Sequence, residues 1–251
     1  MKYTMFKYKQ LILRILTLFC IVIVISSCIY SVRVYSSSIG LFDGVDIQIS
    51  GNNYIDSQRI ENEIYPQISS SILSINLTDI QTKLESIDYI EAVQLSYILP
   101  HTLMIYIVER LPVLLINKDD LIIFMDKKGV LLPANNQSIG IFPVPVLSIL
   151  NEKISMEKYT KDIAKCFHFI IDEYPLFYNN LSEVKIQEDV WEFYSDNNTK
   201  IFVNDTNLIN QLNILKDFEK TVYPVRDLHD YRYIDLRIKG QVVVKEKYRK
   251  G

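Results

Sequence analysis

Residues 11–32 read LILRILTLFCIVIVISSCIYSV, and no other part of this chain constrains it as strongly. From Ile15 to Ile25 only Thr17 is polar. At about 1.5 Å per residue, a helix of this length spans about 33 Å, enough to cross the hydrocarbon core of a bilayer. Lys2, Lys7, Lys9 and Arg14 precede it or lie just inside it. The positive-inside rule then keeps the N-terminus cytoplasmic and exports the chain beyond Arg33. The expectation is a single-pass, type II protein of the inner (cytoplasmic) membrane with its bulk in the periplasm.

Two other readings use the same residues. A cleavable signal peptide has a basic start and an apolar middle, but no A-x-A-like site is present here. A lipoprotein signal would use Ile25-Ser26-Ser27-Cys28, with Ile where Leu is usual, and would lipidate Cys28. The uncleaved anchor accounts for the segment better than either.

The rest of the chain is rich enough in apolar and aromatic residues to build a core, with 17 Tyr and 11 Phe, so disorder over most of its length is excluded. A net charge of −3 speaks against a nucleic-acid binder. Of three cysteines, Cys20 and Cys28 lie in the apolar segment and Cys166 is alone outside it. An intramolecular disulfide outside the anchor and a zinc site are therefore not expected.

After a Ser36-Ser37-Ser38 linker, Val45, Ile47 and Ile49 alternate with polar residues as a half-buried strand ending at Gly51-Asn52. Asp56 or Ser57 can cap a helix with Ile60 and Ile64 on one face, ended by Pro66. Thr78 or Asp79 can cap a second, carrying Ile80, Leu84 and Ile87. Strands through Val93 and Leu95, and through Leu103, Ile105 and Ile107, flank a Pro100-His101 turn. This predicts a β-α-α-β-β unit, one layer of helices on a three-stranded sheet.

Pro112 marks a joint, where the charges of Glu109 and Arg110 could orient two domains. Beyond it, strands are expected at Leu121–Met125 and Val130–Leu132 around an Asp126–Gly129 turn, and Pro133, Pro143 and Pro145 punctuate a loop. Next come a helix from Met156 to about Tyr174, a meander through Val184–Ile186, Val190–Tyr194 and Lys200–Val203, and a helix capped by Asn207. Two strands, Tyr231–Ile238 and Gln241–Val244, close the unit through Lys239-Gly240, and a charged tail runs from Lys245 to Gly251. The class is α+β: a transmembrane helix, the β-α-α-β-β unit, then a β-rich domain of antiparallel strands with two flanking helices.

Little here suggests chemistry. His101, His168 and His229 stand in a turn, a helix and a loop, and Asp172 follows His168 at helical hydrogen-bonding spacing. Seven glycines leave little material for a phosphate loop, and neither a nucleophile elbow nor a metalloprotease motif occurs. Cys166 reads as a small buried hydrophobe and Trp191 as packing. No catalytic, metal or cofactor residue is expected, and no small-molecule substrate.

Three stretches, in this order and spacing, resemble the bacterial division family FtsQ, called DivIB in Gram-positive species. The first is Val45–Asn53, similar to the opening strand and Gly-Asn turn of that family's POTRA domain. The second runs from Ile87 to Pro112 and includes Ala92-Val93, Pro100, Thr102-Leu103 and Glu109-Arg110-Leu111-Pro112; Leu99 stands where a Trp is often found. The third is Tyr233–Arg237 with Gly240–Val244, and the Asp126–Val130 turn is similar too. The resemblance implies a cytoplasmic tail (1–10), anchor (11–32), linker (33–43), POTRA-like domain (44–111), β domain (112–244) and flexible tail (245–251). It implies a non-enzymatic divisome scaffold at the septum, linking early and late division proteins and controlling septal peptidoglycan synthesis. Its partners would be FtsB-like and FtsL-like single-pass proteins, with an FtsB strand added along Ile238, Lys239, Gly240, Gln241, Val242, Val243 and Val244. From the residues alone those valines could instead pack inward, with Lys239, Lys245 and Lys247 guarding an edge against aggregation. Two alternatives are a POTRA-type element of envelope protein assembly or secretion, and a membrane-tethered periplasmic hydrolase using His168 or His229.

Overall fold

One helix carries the whole apolar segment. In the computed structural model, which describes residues 2–118, 121–150, 156–223 and 225–247, helix α1 runs Lys2–Ser38. Its stretch Arg14–Ser38 is long and apolar enough to cross a membrane and buries none of its apolar side chains in the chain itself. A helix that finds no protein cover for such a surface fits lipid as its surroundings. Ser36–Ser38, expected as linker, complete the helix: the hydroxyls of Ser36 and Ser38 donate back to the carbonyls of Arg33 and Tyr35, and the chain turns only at Gly40, whose φ is +61°. The side chains of Lys2, Lys7 and Lys9, which set the orientation argument, lie outside the described ones.

The described chain divides into two compact units, Met1–Glu109 and Arg110–Gly251. Beyond α1, the first contains β1 (Asp46–Ser50), α2 (Ser57–Ile64), α3 (Leu77–Glu85), β2 (Ile90–Ile98) and β3 (Thr102–Glu109). The sheet order is β1-β3-β2, with β1 parallel and β2 antiparallel to β3. Alternation decides which face is covered: Leu103, Ile105 and Ile107 pack under Ile60 and Ile64 of α2 and Ile80 and Leu84 of α3, while Tyr106 and Val108 face outward. The α2 cap is Asp56, as expected, but α3 is capped by Asn76, which accepts from Thr78 N, and Thr78 and Asp79 fall inside the helix. Pro66 continues α2 as a tight turn over Tyr65–Gln67. Gly51 has φ +84°, and a Cβ there would stand 2.1 Å from the carbonyl oxygen of Ile107, so only glycine fits this turn.

The second unit is a nine-stranded sheet. Its strands are β4 (Pro112–Lys118), β5 (Leu121–Asp126), β6 (Leu131–Pro133), β7 (Val146–Ile149), β8 (Leu181–Gln187), β9 (Val190–Ser195), β10 (Lys200–Asn204), β11 (Tyr231–Asp235) and β12 (Val243–Glu246). They lie in the order β12-β11-β10-β9-β8-β7-β4-β5-β6. Helices α5 (Met156–Glu173) and α7 (Leu208–Val222) supply the long apolar stripes, with short α4 (Asn136–Ile141) and α6 (Pro175–Asn179) between strands. Ile163, Phe167 and Ile170 of α5 and Leu212 and Leu215 of α7 share one core with Trp191 and Phe193 of β9. Cys166 is buried in that core, which pushes its thiol pKa up, consistent with a packing role.

Four features depart from expectation. Strands β4 and β7 occupy segments read as a joint and a Pro-punctuated loop. The pairs β4–β7, β7–β8 and β10–β11 are parallel, so the sheet is mixed, because α5 and α6 cross over between β7 and β8 and α7 crosses over between β10 and β11. The closing strands are also shifted: β11 stops at Asp235 rather than Ile238, and β12 covers Val243–Glu246 rather than Gln241–Val244. Asn207 occupies the start of α7 without a side-chain cap bond. Of the expected flexible tail, residues 248–251 lie outside the described ones.

Candidate partner-binding edge

The β12 end of the large sheet is where a partner strand could be added. Its ladder pairs Val243 with Asp235, Val244 with Ile234, Lys245 with Tyr233 and Glu246 with Tyr231, all antiparallel. On its far side no further strand stands among the described residues. An edge of this kind offers backbone donors and acceptors at β-spacing to an incoming strand. The opposite edge is β6, three residues long and ending in Pro133, a poorer template.

What ends β11 and sets β12 is a fork within one tripeptide. The guanidinium of Arg237 donates to both carboxylate oxygens of Asp235, at 2.8 and 2.6 Å, and Arg237 N donates to Oδ1 at 3.0 Å. These bonds hold the Asp235 carboxyl below its ordinary range, against a smaller opposing effect of burial. Between them Leu236 is buried, its N–H donating to the carbonyl of Phe202, and Arg237 also lies 5.0 Å over the Phe202 ring. Continuing β11 past Asp235 would break this fork. The chain then turns at Gly240, φ +75°, with Gln241 N donating to Ile238 O.

The residues assigned to strand addition therefore divide. Ile238, Lys239, Gly240 and Gln241 form an exposed turn, Val242 packs against the core, and Val243 and Val244 begin the edge strand. Val244 keeps 37% of its surface exposed, so it does not pack wholly inward. Lys245 and Glu246 belong to the same strand and escape sequence reasoning, because charged residues after a valine run read as a tail.

Lys247, read from sequence as an edge guard, turns inward. Its Nζ donates to Asn197 O (2.6 Å), His229 O (2.9 Å) and the hydroxyl of Thr199 (3.2 Å), and its backbone N–H donates to Asp230 O. Arg226 pairs with Glu246 at 3.1 Å, just after the exposed Tyr223 and Val225. The edge strand is thus fastened by its C-terminal end. Sequence separation concealed these contacts; Arg226 and Glu246 are twenty residues apart.

Glu109 and Arg110 each turn onto their own unit. The Glu109 carboxylate accepts from the backbone N–H groups of Asn53, Tyr54 and Ile55 at 2.7–3.1 Å. Arg110 donates to Asp126 Oδ2 at 2.9 Å, and Asp126 Oδ1 accepts from Lys128 N and Val130 N in the turn after β5. Pro112 is buried at the start of β4.

His168 and His229 are occupied with local contacts, whereas Nδ1 of His101, at the hairpin tip, is buried without a hydrogen-bond partner among the described residues. His168 lies 3.4 Å from Asp172, which also pairs with Lys127, on an exposed face. His229 contacts Asn197 and lies near Asp196 and Asp227. Trp191 is buried and donates to Asp205. Among the described residues no group of three or more His, Cys, Asp or Glu could hold a metal ion.

Compared with known proteins, residues 45–110 match the family model described as the POTRA domain, FtsQ-type. These residues cover the three-stranded sheet with α2 and α3. No curated protein matches the chain. Among solved structures it is similar to the major extracytoplasmic domain of the trans isomer of the cell-division protein DivIB from Geobacillus stearothermophilus. Identity is 13% over 47% of this chain and 98% of that one, with a TM-score of 0.31.

Proposed function

We propose that this chain, which its FtsQ-type POTRA domain places in the FtsQ/DivIB family, works as a membrane-anchored scaffold of the division machinery that recruits single-pass partners by strand addition to β12. The observation that carries the reading is the exposed end of the nine-stranded sheet, held ready by the Asp235–Arg237 fork and the Lys247 anchor. A pre-ordered edge loses little conformational entropy when a partner strand pairs with it. FtsB-like and FtsL-like proteins are the partners proposed, with α1 holding the chain in the inner membrane at the septum and both units in the periplasm. Through them the chain would link early and late division proteins and control septal peptidoglycan synthesis without catalysing a reaction. The working residues would be Val243, Val244, Lys245 and Glu246, with Ile238–Val242 shaping the approach.

The test is co-purification of the detergent-solubilised full chain with FtsB-like and FtsL-like proteins of the same host. Val243→Pro and Val244→Pro are compared with wild type. Successive N–H groups in a strand point to opposite sides, so one of the two prolines removes a donor aimed at the partner and the other disturbs pairing with β11. Partner recovery with wild type, and its loss with a folded proline variant, would support strand addition. Equal recovery with every folded variant would contradict it.

A further inference from the structure

We propose that the anchor-side end of the POTRA unit is a lipid-contacting surface, in which Ile98 and Leu99 of the β2–β3 hairpin and Leu73 sit in the headgroup region of the bilayer that α1 spans. The proposal rests on α1 being a membrane anchor.

Hydrogen bonds tie three segments together at this end. Asp46 N donates to His101 O, which brings the hairpin tip to the start of β1. Ile72 N donates to Phe42 O and Gly44 N to Ser70 O, and the Tyr97 hydroxyl donates to Ile75 O. Parallel pairing of Asp46 with Thr102 fixes the same geometry from the sheet. The chain therefore enters the unit, turns through residues 70–75 and makes its hairpin tip at one end of the sheet. Tyr54 and Glu109 lie at the other end, beyond the last residue of β1.

Distance brings that end to the membrane. If residues 11–32 cross the hydrocarbon core, the six residues from Arg33 to Ser38 extend the helix by about 9 Å. Each headgroup layer is about 5–8 Å thick. Only residues 39–41 then separate the helix from Phe42, which is already bonded into the unit. The helix therefore ends at or just beyond the outer edge of the headgroup layer, with no spacer before the unit. Phe42 and Leu73 line a groove with Cys28, Ile29, Val32, Arg33 and Ser36 of α1, so the unit reaches back along the helix from its end to the depth of the headgroups.

The side chains at this end suit lipid. Ile39, Leu41, Leu73, Ile98 and Leu99 are all exposed, Leu73 and Leu99 by 61% and 58%. Isolated exposed apolar side chains are ordinary, but this set converges on the end of the unit next to the anchor. Asp43 and Asp46 are exposed there too, so the attraction is apolar rather than an attraction to anionic headgroups.

The experiment places a tryptophan reporter at each position in the full chain, reconstituted in phosphatidylcholine vesicles whose acyl chains are brominated near the headgroup end. Buried Trp191, present throughout, is the common background. Leu99→Trp and Leu73→Trp are expected to lose their added emission to the brominated lipid, as is Ile29→Trp within α1, whereas Tyr54→Trp keeps its emission. Quenching of the reporter at position 29 with none at positions 99 and 73 would overturn the proposal and leave the anchor standing. An unquenched reporter at position 29 would remove the anchor reading and the proposal with it. Positions 99 and 73 shielded from aqueous iodide yet untouched by bromine would point to a protein neighbour and also overturn it.

Discussion

Glu109 shows how a single side chain can hold a fold together. One carboxylate satisfies three consecutive amides of the loop after β1, and those amides lie beyond the strand's ladder. Replacing Glu109 with Ala should destabilise the first unit by about 2–3 kcal/mol, because hydrogen bonds to a charged group are worth about 1.5–3 kcal/mol each and water replaces part of what is lost. Urea unfolding of the full chain in detergent would measure this. Asp235 gives a second, pH-dependent prediction. The Arg237 bonds lower its pKa in the folded state, so its contribution is fully present above the unfolded value of about 3.9 and is lost as pH falls through the lower folded value. The stability gap between wild type and Asp235→Asn should stay constant from neutral pH to about pH 4 and close below it. A gap that is already closing near pH 6 would mean that another group carries it.

At the scale of elements, what sequence reveals depends on how a strand is buried. The first unit was legible because each strand has one covered face and reads as alternation, as in Leu103, Ile105 and Ile107. Strand β4 reads PVLLINK, a near-continuous apolar run that hides the alternating burial of Pro112, Leu114 and Ile116. Strand β7 is four residues long and comes after two prolines, so its local signals are those of a loop. The closing strand was legible as a strand but displaced by two residues, since the Asp235–Arg237 fork that stops β11 is a side-chain bond with no periodicity, and its edge role came from the resemblance rather than from the residues. Lys247 is the clearest element-scale prediction. Truncation to Ala removes three bonds at the end of β12, one of them to the buried Thr199. We expect a loss of about 1–2 kcal/mol and faster amide exchange confined to residues 243–246. Exchange that accelerates evenly across the second unit would assign Lys247 to the core rather than to the edge.

For the molecule as a whole, the proposed function assigns anchoring to α1 and partner binding to the edge of the mixed sheet, with the FtsQ-type POTRA domain between them in the sequence. Anchoring was written in composition, and the POTRA domain in pattern and spacing. The partner edge was only half written, because an edge is defined by what does not pair with it. The residues that carry the sequence resemblance owe their form to local structure: Glu109 binds a loop, Arg110 binds the Asp126 turn, and Asp235 with Arg237 ends a strand. Under the proposed strand addition, function rests on backbone that those side chains hold in place, and the side chains themselves need carry little sign of chemistry. The most direct measurement is hydrogen–deuterium exchange of the full chain in lipid nanodiscs, with and without FtsB-like and FtsL-like partners of the same host. Strand addition predicts that the partners slow exchange in the peptide covering Val243–Glu246 more than anywhere else in the second unit. Protection that appears on other strands or helices, with residues 243–246 unchanged, would contradict it.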